Sequence, residues 1–355
     1  MAVSFEPPFR APEAQIPQDW QRLRDHLRAH GLELDLSDPP RQFAGGYACY
    51  NYRLRIDGRH VVLRRPPQGP LPRGAYDVGR EHRVLKALHP VFPLAPEPLF
   101  YQSDPEVLGA PFLIMEYRPG LSVRERLPEG HGGAEVGRRL SLALVRVLAT
   151  LHTIPPGRIG LGELGRPEGF LARAVEGWLA RSRAAFGDEA PALLEEVAAW
   201  LRSRVPPIRA VALLHNDFKL DNLLLDPHDL SPRTLVDWDM ATRGDPLYDL
   251  AVLISYWSEP GDPEAMRRLG QMPTLEPGFL SRSEVVAAYG RESGRDVSDM
   301  LFHRVLAMLR LVGIFAQLHR LWRQGSLKGE RYREFGDLAR GLLDFAWEIA
   351  RGRAF

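Results

Sequence analysis

A change of hydrophobic period at Pro119-Gly120 restricts the fold of this chain more than any other feature. Before it, short runs alternate apolar and polar residues with the two-residue repeat of half-buried strands; after it, almost everything repeats with helical spacing. From Tyr47 to Ile56, the residues Tyr50, Tyr52, Leu54 and Ile56 alternate with Asn51, Arg53 and Arg55. Asp57-Gly58 then reads as a hairpin turn into a second strand, His60 to Arg64. A leader helix is predicted over 19–30, with Trp20, Leu23 and Leu27 on one side. A second helix is predicted over 77–88, closed by Pro90, and further strands over 99–102 and 112–117. Beyond the break, helices are predicted over 133–153, 168–184, 190–203, 246–257, 281–291, 298–323 and 329–351. They are interrupted only by a small hairpin made from the apolar runs at 223–225 and 234–236. The expected fold is α+β and bilobal, with a strand-rich N-terminal lobe over 1–117 and a mainly helical C-terminal lobe over 118–355. The length of 355 residues suits two such bodies.

Charge and cysteine content narrow the classes of partner. A formal net charge of +1 provides no global field for a polyanion, so nucleic acid is not an expected partner. Cys49 is the one cysteine; no intrachain disulfide or cysteine-rich zinc site can form, and a reducing, cytoplasmic compartment is the expectation. The apolar stretch 301–322 is interrupted by His303, Arg304, Arg310, His319 and Arg320, which predicts a buried helix rather than a membrane span. The proline-rich start has no apolar run and does not read as a signal peptide. Only three lysines occur, Lys86, Lys219 and Lys328, so lysine chemistry has three candidate positions.

The chemistry concentrates in His215-Asn216-Asp217-Phe218-Lys219-Leu220-Asp221-Asn222, set between two apolar runs and followed by Val236-Asp237-Trp238-Asp239. Phosphoryl transfer needs a carboxylate to orient the attacking hydroxyl and take its proton, oxygen ligands for magnesium, and a cation at the migrating phosphate. Asp217, the pair Asn222 and Asp237, and Lys219 supply those types in that order. An amide oxygen with a carboxylate is a hard-oxygen pair suited to a metal that keeps water and takes its other ligands from phosphate.

The pattern H-x-D-x-K-x-x-N, a strand, and then an aspartate resembles the catalytic loop and metal-binding aspartate of protein kinases. With Asp237-Trp238-Asp239 and Gly244-Asp245-Pro246-Leu247-Tyr248-Asp249-Leu250-Ala251, the chain from about Phe43 onward is most similar to the aminoglycoside phosphotransferase-like family of that superfamily. Within it, the likeness is to the kinase-like module fused to certain acyl-CoA dehydrogenases. The resemblance implies ATP (or GTP) and Mg2+ as cofactors, with the nucleotide held between the lobes. It implies Asp217 as catalytic base, Asn222 and Asp237 as magnesium ligands, and Lys219 at the terminal phosphate. His215 would shape the loop and Asp249 would accept backbone hydrogen bonds from it; Asp239 is open between ligand and brace. In the N-terminal lobe, which the resemblance makes nucleotide-binding, Gly45 and Gly46 would cover the phosphates. Arg64 stands where the family usually has lysine, with Glu81 as its helical partner, and the backbone around Glu116 and Tyr117 would meet adenine. Arginine pairs with phosphate and carboxylate in a different geometry from lysine.

His303, Arg310 and Gln317 recur every seven residues and so share nearly one helix face. Two readings stand: a solvated face, or a border of the acceptor pocket with Arg310 meeting a polar or anionic group. Residues 301–355 hold ten Arg or Lys against five Asp or Glu, which does not suit a trap for polycations. The expected function is an ATP- and Mg-dependent O-phosphotransferase acting on the hydroxyl of a small molecule, with a hydroxyacyl-CoA-like acceptor among those admitted. Alternatives are a catalytically silent kinase-like nucleotide-binding protein, an aminoglycoside or antibiotic kinase, and a metal-dependent hydrolase using His215, Asp217 and Asp237.

Overall fold

The computed structural model describes residues 7–45, 49–67, 76–327 and 329–355. They form two compact units. The first comprises Met1–Ser122, Ile159–Leu161 and Asn222–Ala241; the second comprises Val123–Arg158, Gly162–Asp221 and Thr242–Phe355.

The first unit is built on a five-stranded antiparallel sheet of order β1-β2-β3-β5-β4: β1 Arg41–Gln42, β2 Tyr50–Ile56, β3 Arg59–Arg65, β4 Pro98–Gln102 and β5 Phe112–Glu116. The β2–β3 turn has Asp57 and Gly58 both at positive φ (49° and 76°), the backbone that a two-residue hairpin needs to match strand twist. Helix α1, Trp20–Ala29, begins at Asp19, whose side chain accepts the Arg22 N–H, and packs Leu23 and Leu27 onto Tyr52, Leu54, Ile56, Val61, Leu63, Phe112 and Ile114. Helix α2, Val78–Leu88, is capped in the same way by Asp77 and buries Val78, Glu81, Val84, Leu85 and Leu88 along one stripe. A charged residue on that stripe needs a charged partner, and the sheet provides one.

The chain returns to this unit with a hairpin of β7, Leu223–Leu225, and β8, Pro232–Leu235, entered after a short strand β6, Ala212–Leu214, of the second unit. A single division at 117/118 does not describe this return. The Leu94 carbonyl accepts from the Leu235 N–H (2.8 Å) and the Thr234 hydroxyl (2.8 Å), Leu121 and Leu225 exchange backbone hydrogen bonds, and Trp238 is fully buried against Phe92.

The second unit pairs β6 with β9, Thr242–Gly244, and is otherwise helical: α3 Ala134–Thr153, α4 Phe170–Phe186, α5 Leu193–Arg202, α6 Pro246–Ser255, α7 Glu264–Leu269, α8 Arg282–Ser293, α9 Met300–Arg323 and α10 Phe335–Ala350. Asp245 caps α6 through the Leu247 N–H, with Pro246 at the first helical position, where its missing N–H costs nothing. Helix α9 is long and apolar enough to cross a membrane by length and composition, yet 78% of its most apolar window is packed inside the protein. At Gly313 an added Cβ would sit 3.0 Å from Ser182 Oγ and 3.3 Å from the Trp178 ring, so α4 and α9 approach closely enough that a larger residue there would have to displace those side chains. The short elements α7, β6 and β9 carry no periodic signal over so few residues. Part of the segment predicted as one helix over 329–351 is a 3-10 turn, Glu330–Glu334.

Candidate active site

Of the residues singled out by sequence, Asp217, Lys219 and Arg310 fall into one side-chain network and Arg64, Glu81 and Asp237 into another, one within each unit. In the second unit, the loop after β6 is held by one carboxylate. Asp249, fully buried in the first turn of α6, accepts the His215 N–H through Oδ2 (2.6 Å) and the Asn216 N–H through Oδ1 (2.7 Å). His152 lies 3.4 Å from Asp249 Oδ2 and 2.7 Å from the Tyr289 hydroxyl, extending the brace into α3 and α8. Asn216 has φ +68°, a left-handed conformation that asparagine tolerates better than most residues. Phe218 and Leu220, both fully buried, pin the loop on its apolar side. The loop-bracing expected of Asp249 is thus present in the geometry.

This bracing presents Asp217, whose side chain is 15% exposed. Its Oδ1 accepts from Arg310 Nη2 at 2.5 Å and from the Tyr256 hydroxyl at 3.3 Å; its Oδ2 lies 3.2 Å from Lys219 Nζ. Arg310 also donates to the Tyr256 hydroxyl (3.0 Å) and the Asn216 carbonyl (3.3 Å). Lys219 lies 3.7 Å from Asp221 Oδ1 and 5.0 Å from the centre of the Tyr256 ring, and Arg124 is 3.3 Å from Asp221 Oδ2. Burial alone would raise the Asp217 pKa, but Lys219 and Arg310 outweigh it and hold the carboxyl well below its usual range. Burial likewise pushes Lys219 and Arg310 down; Asp217 on the first, and Asp217 with the hydrogen bond to Tyr256 on the second, more than reverse it.

Arg310 therefore does not present a free cation on a helix face. It is 1% exposed and engaged with Asp217. His303, also buried, turns its Nε2 toward Asp245 at 3.3 Å and its Nδ1 to the Asp299 carbonyl at 2.9 Å, so it steadies the start of α6. Gln317 is half-buried. The seven-residue stripe is neither a solvated face nor three residues sharing one task. Tyr256 was not anticipated, although its position seven residues after Asp249, two helical turns on, places it on the same side of the chain.

In the first unit the sheet cation is Arg64 on β3. Its Nε lies 2.6 Å from Glu81 Oε2 as an ion pair without hydrogen-bond alignment; its Nη2 donates to Asp237 Oδ1 and lies 3.9 Å from Asp239 Oδ2. Both members of the Arg64–Glu81 pair are buried, which removes the reading of a surface ion pair. The other Glu81 oxygen accepts the Trp238 N–H at 3.2 Å. Asp237 has φ +72°, an uncommon backbone for a non-glycine residue. The Asn222 carbonyl accepts the Val236 N–H at 2.9 Å, and Asn222 is itself buried. Burial, with Asp237 adding to it, raises the Glu81 pKa against the pull of Arg64.

Within these ion pairs one guanidinium faces three carboxylates, two negative charges over, while the neighbouring Arg80 guanidinium donates to the Asp239 carbonyl (3.1 Å) and lies 3.5 Å from the Asp77 carboxylate. That excess, with the Asn222 amide and the Asp237 carboxylate as hard oxygens, fits a divalent cation of the magnesium type. Among the described residues no three His, Cys, Asp or Glu side chains come together as a cage. Water and phosphate would have to complete the shell, as magnesium prefers.

The remaining candidates are less engaged. Glu116 pairs with Val61 in the β3–β5 ladder while its side chain meets Arg118 at 2.8 Å and caps the Glu97 N–H at 3.1 Å. The Tyr117 ring packs beside Phe43 and His60. Gly45 is exposed with open space around it, and Gly46 lies outside the described residues. Cys49 is buried, and burial pushes its thiol up to about 12, which fits a packing residue rather than a nucleophile. Lys86 is exposed on α2.

The chain is similar in sequence and fold to known proteins. The chain is 32% identical over 327 residues to acyl-CoA dehydrogenase family member 11 of Gallus gallus, a match that covers 89% of this chain and 41% of the relative. The chain thus spans about two fifths of that protein's length. It is 26% identical over 231 residues to thiamine kinase of Escherichia coli, covering 63% of this chain and 68% of that one. A crystal structure from Ralstonia eutropha JMP134, described as a candidate aminoglycoside phosphotransferase, superposes with a TM-score of 0.75 at 25% identity, covering 95% of this chain and 99% of the other. The fold is kinase-like, as the sequence predicted. The phosphotransferase enzyme family profile matches residues 40–284, and the chain belongs to that family.

Proposed function

We propose that the protein transfers the terminal phosphoryl group of ATP to the hydroxyl of a small molecule. The observation that carries this reading is the Asp217 carboxylate, kept ionised between Lys219 and Arg310 on a loop whose backbone is fixed by Asp249. Asp217 orients the acceptor O–H and takes its proton as the oxygen bonds to phosphorus and the bond to the leaving ADP breaks. A strongly acidic carboxylic acid suits a transfer in which the proton leaves late, because most of the work is alignment and charge stabilisation. Lys219 offsets charge on the migrating group. Asn222 and Asp237 would hold Mg2+, which supplies charge neutralisation on the nucleotide phosphates; Arg64, steadied by Glu81, adds a guanidinium in the same unit.

The charges around Asp217 bear on the acceptor. Arg124, Lys219 and Arg310 face Asp217 and Asp221, which leaves one positive charge over. Such surroundings disfavour a polycationic aminoglycoside and favour a neutral or anionic acceptor. A hydroxyacyl-CoA-like molecule has that character, and the acyl-CoA dehydrogenase relative supports it.

The test is magnesium-dependent ATP consumption over a panel of hydroxylated acceptors, with direct detection of the phosphorylated product. Turnover with a neutral or anionic acceptor, abolished in Asp217→Asn while nucleotide still binds, is expected; full turnover by Asp217→Asn overturns the reading. A second reading, a catalytically silent nucleotide-binding protein, is favoured by one observation: Arg64 lies on the Asp237 carboxylate that magnesium would use. It predicts nucleotide binding without product for any acceptor.

A further inference from the structure

Arg310 is an expensive residue in its position. A guanidinium 1% exposed to solvent has lost its hydration, and it repays that loss only through the partners it meets. It stands midway along α9, between the rings of Trp178 (5.7 Å to the centroid) and Tyr256 (5.9 Å), so its fork has little freedom. Of the carboxylates in the protein it engages Asp217. The same Nη2 that meets Asp217 Oδ1 also reaches the carbonyl of Asn216, the residue in left-handed conformation, so one group ties down both the side chain and the backbone of the loop. Tyr256 closes a triangle with Arg310 and the same Oδ1. Its own pKa is raised, by burial first, so it stays a neutral donor.

We infer that Arg310, with Tyr256, is a positioning residue for the proton acceptor: it anchors Oδ1 of Asp217 from a rigid helix and sets the carboxylate plane, so that Oδ2, on the Lys219 side, receives the acceptor's proton. This rests on the reading of Asp217 as the base. The division of labour follows from where the groups are mounted. Asp217 belongs to a loop, and side chains on loops are held less closely than those on helices; α9 supplies the rigidity. A misplacement of about 1 Å at such a group costs about 100-fold in rate. Among the groups facing Asp217 are Lys219 and His215 of its own loop, Tyr256 following α6, and Arg310 of α9; Asp221 and Arg124 act behind Lys219, and Asp249 behind His215 and Asn216. With Arg310 gone, burial still disfavours the ionised form, and Lys219 is the main charge left to oppose it, with a smaller contribution from His215.

The experiment compares Arg310→Gln, Arg310→Lys and Tyr256→Phe with the wild type over pH 5–9, using an acceptor found in the panel above. For Arg310→Gln the expected result is a fall in kcat of about 100-fold with the nucleotide KM within about twofold. An acid limb should also enter the pH profile at higher pH than in the wild type, because the Asp217 pKa rises. Arg310→Lys restores part of the rate and lowers that limb again; Tyr256→Phe changes both in the same direction by about threefold to tenfold. If Arg310→Gln does not fold, as judged by circular dichroism, the other two variants decide the matter. An increase in the acceptor KM at unchanged kcat and unchanged pH profile overturns the inference, since Arg310 would then be touching the acceptor. So does wild-type kcat in Arg310→Gln and Tyr256→Phe alongside an inactive Asp217→Asn, which leaves the proposed function standing. An active Asp217→Asn overturns the function itself.

Discussion

The two charged networks are built on opposite plans. Around Asp217 in the second unit, one carboxylate is gripped by two cations; around Arg64 in the first, one cation is shared by three carboxylates. Their pKa shifts run in opposite directions for the same reason. Burial acts first on both Asp217 and Glu81, but the cations win at Asp217 and lower it, while at Glu81 burial and the Asp237 charge prevail and raise it. The first network maintains a fixed anion. The second holds negative charge that calls for another cation. A phosphotransferase needs both: a group to take a proton, and a site where phosphate-bound metal ions are welcome.

The largest effect expected is on turnover. Asp217→Asn keeps the shape and removes the charge, so kcat should fall by about 10²–10⁴-fold while nucleotide affinity, measured by calorimetry, stays within about twofold. Asp237→Asn should act differently: the magnesium concentration for half-maximal activity should rise at least about tenfold, because the two-charge excess that attracts the ion is reduced. Equal loss in both variants with no change in magnesium dependence would erase the distinction between the networks.

The next effect is on stability. Replacing Arg64 with Met leaves the buried Glu81 and Asp239 and the partly exposed Asp237 without their shared cation, and breaking a buried pair costs about 3–5 kcal/mol. Arg64→Met should therefore lower the thermal midpoint by several degrees, and added magnesium should recover part of the loss by supplying the missing charge. An unchanged melting curve, with or without magnesium, would show that the three carboxylates are not held together as described.

The sequence made one network legible and half of the other. Asp217, Lys219, Asn222 and Asp237 announce themselves because polar residues at catalytic spacing sit between apolar runs, and Arg64 with Glu81 because the family resemblance calls for a strand cation and a helical glutamate to pair with it. The architecture was legible for a similar reason: long periodic segments such as α9 and the β2–β3 hairpin state their own type. Arg310 was visible, but its partner was not. Periodicity grouped it with His303 and Gln317 on one face, yet a helix face reports only a shared direction, and the partners differ because Asp245 and Asp217 arrive from elsewhere in the chain. Nor could period reveal that residues 222–241 belong with the first unit, since that depends on where Leu94 and Leu121 lie in space.

The smallest expected effect concerns Cys49, which probes the field of the Arg64 network without taking part in it. Burial is the main reason its thiol is pushed up to about 12; Arg64 lowers it, and Glu81, Asp237 and Asp239 raise it. At pH 8 a thiol of that pKa is ionised to about one part in 10⁴, and alkylation proceeds through the thiolate. Iodoacetamide should therefore modify the native protein at pH 8 at a rate set by opening of the fold, while the denatured chain reacts fully. Arg64→Met should slow the native reaction further where the fold is intact, because a cation that lowers the thiol's pKa is gone while Glu81, Asp237 and Asp239 remain. Fast alkylation of the native wild-type protein would mean that Cys49 is not buried beside a negative excess, and the contrast between the networks would lose its second half.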